Sequence, residues 1–170
     1  MAQFVRAGLR HNRWVETAER SPADYPADVI TDLRTQGNAL SVFEVTATIS
    51  AERIAIAVAA GKQEPQETGY SVFDSATTVK LGIKPTKARG NTIDADVNSC
   101  HYNLAVGTVS KLVDLAEVLA TGGLVPILRK KVEELLKDGL TNHQLDGSRM
   151  NPGLRNKLQN VSASTGTSLQ

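Results

Sequence analysis

The clearest strand pattern in the chain is the run Leu40-Ser41-Val42-Phe43-Glu44-Val45-Thr46-Ala47-Thr48-Ile49. Successive side chains of a strand point to opposite faces, so alternate residues share one environment. One face is entirely apolar and consists of Phe43, Val45, Ala47 and Ile49. The other face is apolar at Leu40 and Val42 and turns polar at Glu44, Thr46 and Thr48. The pattern predicts a strand that is buried at its first end and open at its last.

The residues after this strand favour a helix. Ser50 is a good N-cap, residues 51–60 are rich in alanine, and Gly61 is a typical residue after a helix end. Isoleucine and valine alternate with alanine within the segment, so a strand is the alternative reading. The alanines and the length favour the helix. A second strand is predicted at residues 69–73, followed by a short helix to Leu81.

The remaining segments predict one strand and several helices. Residues 13–17 are read as a short strand and residues 28–36 as a brief helix. A helix is predicted to begin at Asn98 or Ser99, the next to begin at Pro126 and end before Gly139, a short one to begin at Thr141, and a last one to begin at Pro152. We therefore expect an α+β fold, or a small α/β fold, with a sheet of three to four strands in the N-terminal two-thirds and a helical C-terminal third.

The length and composition suit one folded unit. The chain has 170 residues, of which 41% are hydrophobic and 22% are charged, and its net charge is +1. This balance argues against a disordered chain and lacks the basic excess of a dedicated nucleic-acid binder. We expect a single domain over residues 1–160, with a helical subregion over about 98–160, and a flexible Ser/Thr/Gly-rich tail over residues 161–170.

The cysteine content and the apolar runs predict the cellular setting. Cys100 is the only cysteine, so it cannot form an internal disulfide, and a reducing, cytoplasmic compartment is expected. No run approaches the ~20 apolar residues of a membrane span, so no membrane association is expected. The sequence contains no complete phosphate-binding loop, and no cofactor is predicted.

Two groups of residues are candidates for catalysis. Glu44 lies mid-strand, where burial would raise its pKa, and His101 follows Cys100 near a predicted helix start. Asp94 and Asp96 provide oxygen ligands, although Ser99 and Ala105 stand where a calcium-binding loop needs Gly and Glu. Together these four side chains define one hypothesis, a small metal-dependent hydrolase or nuclease. The alternative for the two aspartates is stabilisation of a helix N-terminus.

Two basic segments are candidates for binding. Arg10 and Arg13 flank His11 beside Trp14, the only tryptophan, and such a cluster could hold a phosphate, a carboxylate or a protein partner. The alternative is an arm that Trp14 anchors in the core. The second segment is a predicted loop over residues 82–91, which carries Lys84, Lys87 and Arg89.

Near the C-terminus, the stretch Gly139-Leu140-Thr141-Asn142 resembles the start of the LuxR-type response-regulator DNA-binding domain. The pattern then departs from that family at Asp146-Gly147 and at Pro152-Gly153. The resemblance implies a helix-turn-helix-like protein that binds nucleic acid through its C-terminal helices. Such a protein would present Arg149, Arg155 and Lys157 on one exposed helix face.

Three function classes follow from these residues. The incomplete catalytic set and the near-neutral charge favour a non-catalytic interaction or regulatory protein that binds a protein partner or a second copy of itself. The alternatives are the hydrolase and the nucleic-acid binder described above. The sequence leaves the question of enzymatic activity open and favours its absence.

Overall fold

A computed structural model describes residues 2–33 and 35–164 of the chain, with side chains described as far as residue 159. The strands are β1 (Gln3–Leu9), β2 (Ala39–Val45), β3 (Thr68–Asp74), β4 (Pro85–Lys87), β5 (His101–Ala105) and β6 (Leu124–Ile127). The helices are α1 (His11–Val15), α2 (Ala27–Asp32), α3 (Ala51–Ala59), α4 (Ser75–Lys80), α5 (Ala95–Ser99), α6 (Val109–Thr121), α7 (Arg129–Thr141) and α8 (Pro152–Ser164). Short 3-10 turns lie at Pro22–Asp24 and Gly147–Arg149.

The described strands form one six-stranded sheet in the order β4-β5-β2-β1-β3-β6, and every neighbouring pair is antiparallel. The α+β class is therefore confirmed. The predicted sheet of three to four strands is wrong. Because no described pair is parallel, the α/β alternative, which rests on parallel crossovers, does not apply.

The strands that the sequence analysis missed are short or interrupted. In β1, Gly8 has a φ of +80° and marks a register shift against β3, which breaks the two-residue alternation. In β6, Pro126 suggested a helix start, although proline is also tolerated on an edge strand. β5 has five residues and β4 has three, so neither is long enough to show a clear period.

The sheet separates two apolar cores, and helices cover both of its faces. One core joins Phe43 of β2 to Ile54 of α3, with Val97, Leu136 and Leu154 from α5, α7 and α8. The other core joins Phe4 of β1 to Trp14, Val29 and Leu115 of α1, α2 and α6. Helix α3 packs against β1 and β3 on one face, α6 packs against β3 on the other, and α7 packs on α3, as in a layered domain.

Several predicted elements need correction. Residues 13–17 do not form a strand, because His11–Val15 is a helix. The C-terminal third is not purely helical, since β5 and β6 complete the sheet there. The predicted helix at Thr141 is replaced by the end of α7 and a turn in which His143 has a φ of 57°. α8 extends to Ser164, and residues 165–170 of the predicted tail lie outside the described residues.

Both edges of the sheet carry residues that discourage pairing with another strand. β4 is three residues long and contains Pro85 and Lys87, and β6 contains Pro126, which has no backbone N–H to donate. No helix in the described residues combines the length and the apolar character that a bilayer crossing requires.

Candidate functional site

Glu44 and His101 lie on opposite faces of the sheet. His101 is the register partner of Phe43, and their rings meet edge-on with centroids 5.0 Å apart on the α3 side. Glu44, one residue later, points to the α6 side, where its Oε2 accepts a hydrogen bond of 3.1 Å from the Tyr102 hydroxyl. The two side chains predicted for a hydrolase therefore do not share a pocket.

Asp94 and Asp96 are held by an arginine. Arg53 donates from Nε to Asp94 Oδ2 at 2.7 Å and from Nη2 to Asp94 Oδ1 at 3.0 Å, and Nη2 also lies 2.8 Å from Asp96 Oδ2. Asp94 Oδ1 also accepts the backbone N–H groups of residues 96 and 97, so Asp94 is the N-cap of α5. The Asp94 hydrogen bond raises the pKa of Arg53. In residues 2–33 and 35–164, no three His, Cys, Asp or Glu side chains form a metal-binding group.

Arg10, Arg13 and Trp14 serve contacts within the chain. Trp14 is only 1% exposed and lies in the core between the sheet and α6. Asp32 is also buried, and it binds Nη1 of Arg13 at 3.2 Å and the backbone N–H of Arg10 at 3.3 Å. The N-terminal basic cluster is thus joined to the end of α2.

The basic residues of the last helices also have partners within the chain. Lys157 forms an ion pair with Glu64, and Nη1 of Arg155 donates to the carbonyl of Gly147 at 3.3 Å. Arg149 lies on the 3-10 turn and donates from Nη2 to Asn91 Oδ1 at 3.2 Å. These contacts direct Arg149 toward the β4 side of the protein and Lys157 toward the segment after α3.

A concave surface with a volume of about 510 Å³ lies beside β4, and we call it the basic groove. Three basic residues line it, Lys87 and Arg89 from the β4 segment and Arg149 from the 3-10 turn, and the ammonium group of Lys87 lies over the Tyr102 ring. Its other lining residues are Ala88, Ala95, Asn98 and Ser99. Two of the six predicted binding residues, Lys87 and Arg89, therefore lie here. Lys84 is exposed just before β4 and does not line the groove.

The segment that carries Arg89 is fixed against α5. Gly90 donates its backbone N–H to the carbonyl of Asn98 at 3.1 Å. A Cβ at position 90 would lie 2.8 Å from the Cα of Asn98, so only glycine allows this approach. The Asn98 side chain also binds the backbone of Thr92 on both of its polar groups, at 2.7 and 2.9 Å. The backbone of this side of the groove is therefore held in place by the fold.

The electrostatics of the groove are strongly one-sided. Residues 75–93 contain Lys80, Lys84, Lys87 and Arg89 and no Asp or Glu. Among the described residues that line the groove, none carries a carboxylate. Lys87 lies 4.4 Å above the centre of the Tyr102 ring, and Arg89 forms no ion pair with any described residue. Such a surface concentrates anions even when the whole chain is nearly neutral.

One carboxylate, Asp146, lies near Arg149 outside the lining. It caps the 3-10 turn by accepting the backbone N–H and the hydroxyl of Ser148, at 2.9 and 2.6 Å. These two hydrogen bonds, with a smaller effect of the Arg149 charge, lower the pKa of Asp146. Both hydrogen bonds end on Oδ1 of Asp146, so this carboxylate caps the turn and does not line the groove.

His101 lies behind the groove segment and is 8% exposed. Its carbonyl accepts the backbone N–H of Ala88, and its Nδ1 has no hydrogen-bond partner among the described residues. Burial lowers the pKa of His101, a hydrogen bond with the Ala88 backbone partly raises it, and the charge of Lys87 lowers it further. Burial therefore disfavours the protonated form of this ring in the folded protein.

The low pKa of His101 predicts a loss of stability in mild acid. As pH falls through 6.5, the ordinary value, the unfolded chain binds a proton before the folded chain does. The free energy of unfolding should therefore decrease until the lowered folded pKa is reached. We expect H101Q to flatten this dependence in urea unfolding between about pH 7.5 and about pH 5.5.

The matched control is H143Q, which also replaces one histidine by glutamine but at an exposed position. If H101Q and the original protein showed the same pH dependence of stability, His101 would not be the cause of the loss of stability in mild acid.

No known protein family, curated protein or solved structure matches the chain. The sequence predicts Arg149 on a helix face of the C-terminal region, and no spacing in the sequence connects this residue with Lys87 and Arg89. The one sequence signal that could have drawn attention to the groove is the absence of acidic residues from 75 to 93.

Proposed function

We propose that this chain is a non-catalytic binding protein whose basic groove receives an acidic segment of a protein partner. The observation that carries the proposal is that basic residues from two distant parts of the sequence meet on one surface. Lys87 and Arg89 come from one segment and Arg149 comes from a turn far away in sequence, yet all three line one concave surface without a lining carboxylate. Guanidinium groups bind carboxylates through two parallel hydrogen bonds, so the two arginines suit Asp and Glu side chains.

Protection of the sheet edge accounts for only part of this arrangement. Lysine on an edge strand discourages strand pairing, and Lys87 of β4 has that position. Arg149 is not on a strand, and its Asn91 contact holds it at the groove from a separate element. Protection of the β4 edge would require only the lysine on that strand and would not require a second cation from another element.

The chemistry of the groove favours a protein over a nucleic acid. Single strands bind through aromatic stacking platforms, and none of the described lining residues is aromatic. The nearest ring belongs to the half-buried Tyr102, and Lys87 covers it. The three lining cations also offer few phosphate contacts compared with a dedicated duplex binder.

The test compares two variants that each lose three positive charges. K87A/R89A/R149A removes the groove cations, and the matched control K80A/K130A/K131A removes exposed cations elsewhere. Binding of a fluorescein-labelled oligoglutamate peptide is followed by anisotropy. Because charge-assisted contacts are lost, we expect the affinity of the groove variant for the peptide to fall by roughly tenfold or more. The affinity of the control variant should change by less than roughly twofold.

The same titration with a labelled DNA oligonucleotide decides between partner classes. We expect the peptide to bind more tightly than the DNA at equal salt concentration, and we expect both affinities to fall as salt screens the charges. Tighter binding of DNA, or equal loss of peptide binding in the two variants, would overturn the proposal.

A further inference from the structure

A second cavity lies on another part of the protein. It has a volume of about 490 Å³ and lies between the end of β2, the first turns of α3 and the C-terminal half of α7. This size is within the range of pockets that hold small molecules. None of its lining residues belongs to the basic groove.

The cavity has an apolar floor and a polar rim. The floor consists of Val45, Ile56, Leu135 and Leu145, and the rim of Thr46, Thr48, Ser50, Glu52 and Arg53. The fully buried Asp94 also lines the cavity. At Gly139 the α7 backbone itself forms the wall, because a Cβ there would lie 2.8 Å from the Leu145 side chain. A ligand that fits both parts must carry an apolar body and one polar head.

The charged residues of the rim determine whether the polar group of the ligand should be positive or negative. Arg53 gives its Nε and Nη2 donors to Asp94 and Asp96, so its positive charge is already compensated by two carboxylates. Asp94 in turn receives Arg53 and two backbone N–H groups. These groups are therefore occupied by the fold and offer little to an anion.

Glu52 is the remaining charged group of the rim. It is exposed and forms no hydrogen bond or ion pair with any described residue. Its charge contributes to a raised pKa of Tyr70, whose main cause is burial, so that hydroxyl remains neutral. The hydroxyls of Thr48 and Ser50 lie on the same rim as Glu52 and can accept additional hydrogen bonds.

We propose that this cavity binds a small amphipathic amine. The ammonium group of the ligand would pair with Glu52 and donate to the rim hydroxyls, and its hydrocarbon part would cover the apolar floor. The inference is independent of the proposed partner of the basic groove, because it rests on different residues.

Three probes with the same hydrocarbon body test the charge preference. Hexylammonium, hexan-1-ol and hexanoate are titrated into the full chain, and amide chemical shifts are followed by NMR. We expect the ammonium to bind about threefold to fivefold more tightly than the alcohol, as befits one exposed ion pair, and hexanoate to bind most weakly. The largest shifts should fall in residues 46–53 and 144–145.

Two variants separate the charge from the cavity. E52Q should bring the ammonium and the alcohol to equal affinity, whereas the control E134Q, on the exposed part of α7, should change neither. A47W should fill the cavity from an exposed loop position and weaken the ammonium and the alcohol together. The proposal is overturned if hexanoate binds most tightly, if E52Q keeps the preference, or if A47W binds as well as the original chain.

Discussion

Replacing Asp94 by alanine is expected to lower the free energy of unfolding by about 3–5 kcal/mol, the usual cost of breaking a buried ion pair. Asp94 is fully buried and accepts two hydrogen bonds from Arg53. Its removal leaves the largely buried guanidinium without its main partner. It also removes the cap of α5, since two backbone N–H groups lose their acceptor, and a lost cap by itself costs about 1 kcal/mol.

The matched control for this change is D96A. Asp96 binds the same guanidinium at 2.8 Å, but its side chain is 71% exposed. An exposed ion pair contributes at most about 1 kcal/mol, so we expect D96A to be nearly neutral. Urea unfolding followed by circular dichroism measures both variants. Equal costs for D94A and D96A would show that Asp94 is not the buried anchor described above.

Replacing Trp14 by alanine is expected to cost about 3–5 kcal/mol, as for other buried aromatic residues. Trp14 belongs to the core that joins the sheet to α2 and α6, and the cavity left behind could close only in part. Its indole N–H has no acceptor among the described residues. W14F, which removes that donor and keeps a ring, should therefore cost clearly less than W14A.

The neighbouring residue on the same helix provides the comparison for Trp14. Val15 is 51% exposed, so V15A should change stability by at most about 0.5 kcal/mol. Thermal unfolding of the three variants gives the order. If W14A left stability unchanged and instead weakened partner binding, the N-terminal arm would be a binding element and the assignment of Trp14 to the core would fail.

The parts of the fold that could be predicted share strong local signals. The run from Leu40 shows a two-residue period, and its first part lies in β2. The predicted strand extends too far, because β2 ends at Val45 and residues 46–49 form a loop. Ser50 does cap α3, where its hydroxyl accepts the N–H of Arg53 at 3.1 Å. Alanine-rich sequence favours helix by intrinsic propensity, and this decided correctly between helix and strand for residues 51–59.

The missed strands lacked such signals, because tertiary pairing determines them. Ala105 fits the spacing that predicts a helix from Asn98 or Ser99, yet residues 101–105 pair with β2 on one side and β4 on the other. Helix α6 in fact begins at Val109, after the N-cap Thr108, and its buried stripe consists of Leu115, Ala116, Leu119 and Ala120. Five residues are too few for hydrophobic periodicity to distinguish a strand from a helix. Residues 101–105 form a strand because they make hydrogen bonds with two neighbouring strands.

The candidate site was predictable only in its local part. Lys87 and Arg89 were recognised because they lie close together in sequence. Arg149 depends on a turn that Asp146 caps and on a contact with Asn91, and neither can be derived from the spacing of charges. The separation of Glu44 from His101 likewise follows from the register between β2 and β5, which the sequence does not reveal.

The most direct test of the basic groove is a map of where an acidic peptide binds. Amide chemical shifts of the full chain are recorded during titration with the oligoglutamate peptide. We expect the largest changes in residues 87–91, 95–99 and 147–149, because these three segments lie together only in the folded groove. Changes confined to the cations at the start of α7, or no saturable change at all, would contradict the proposed function.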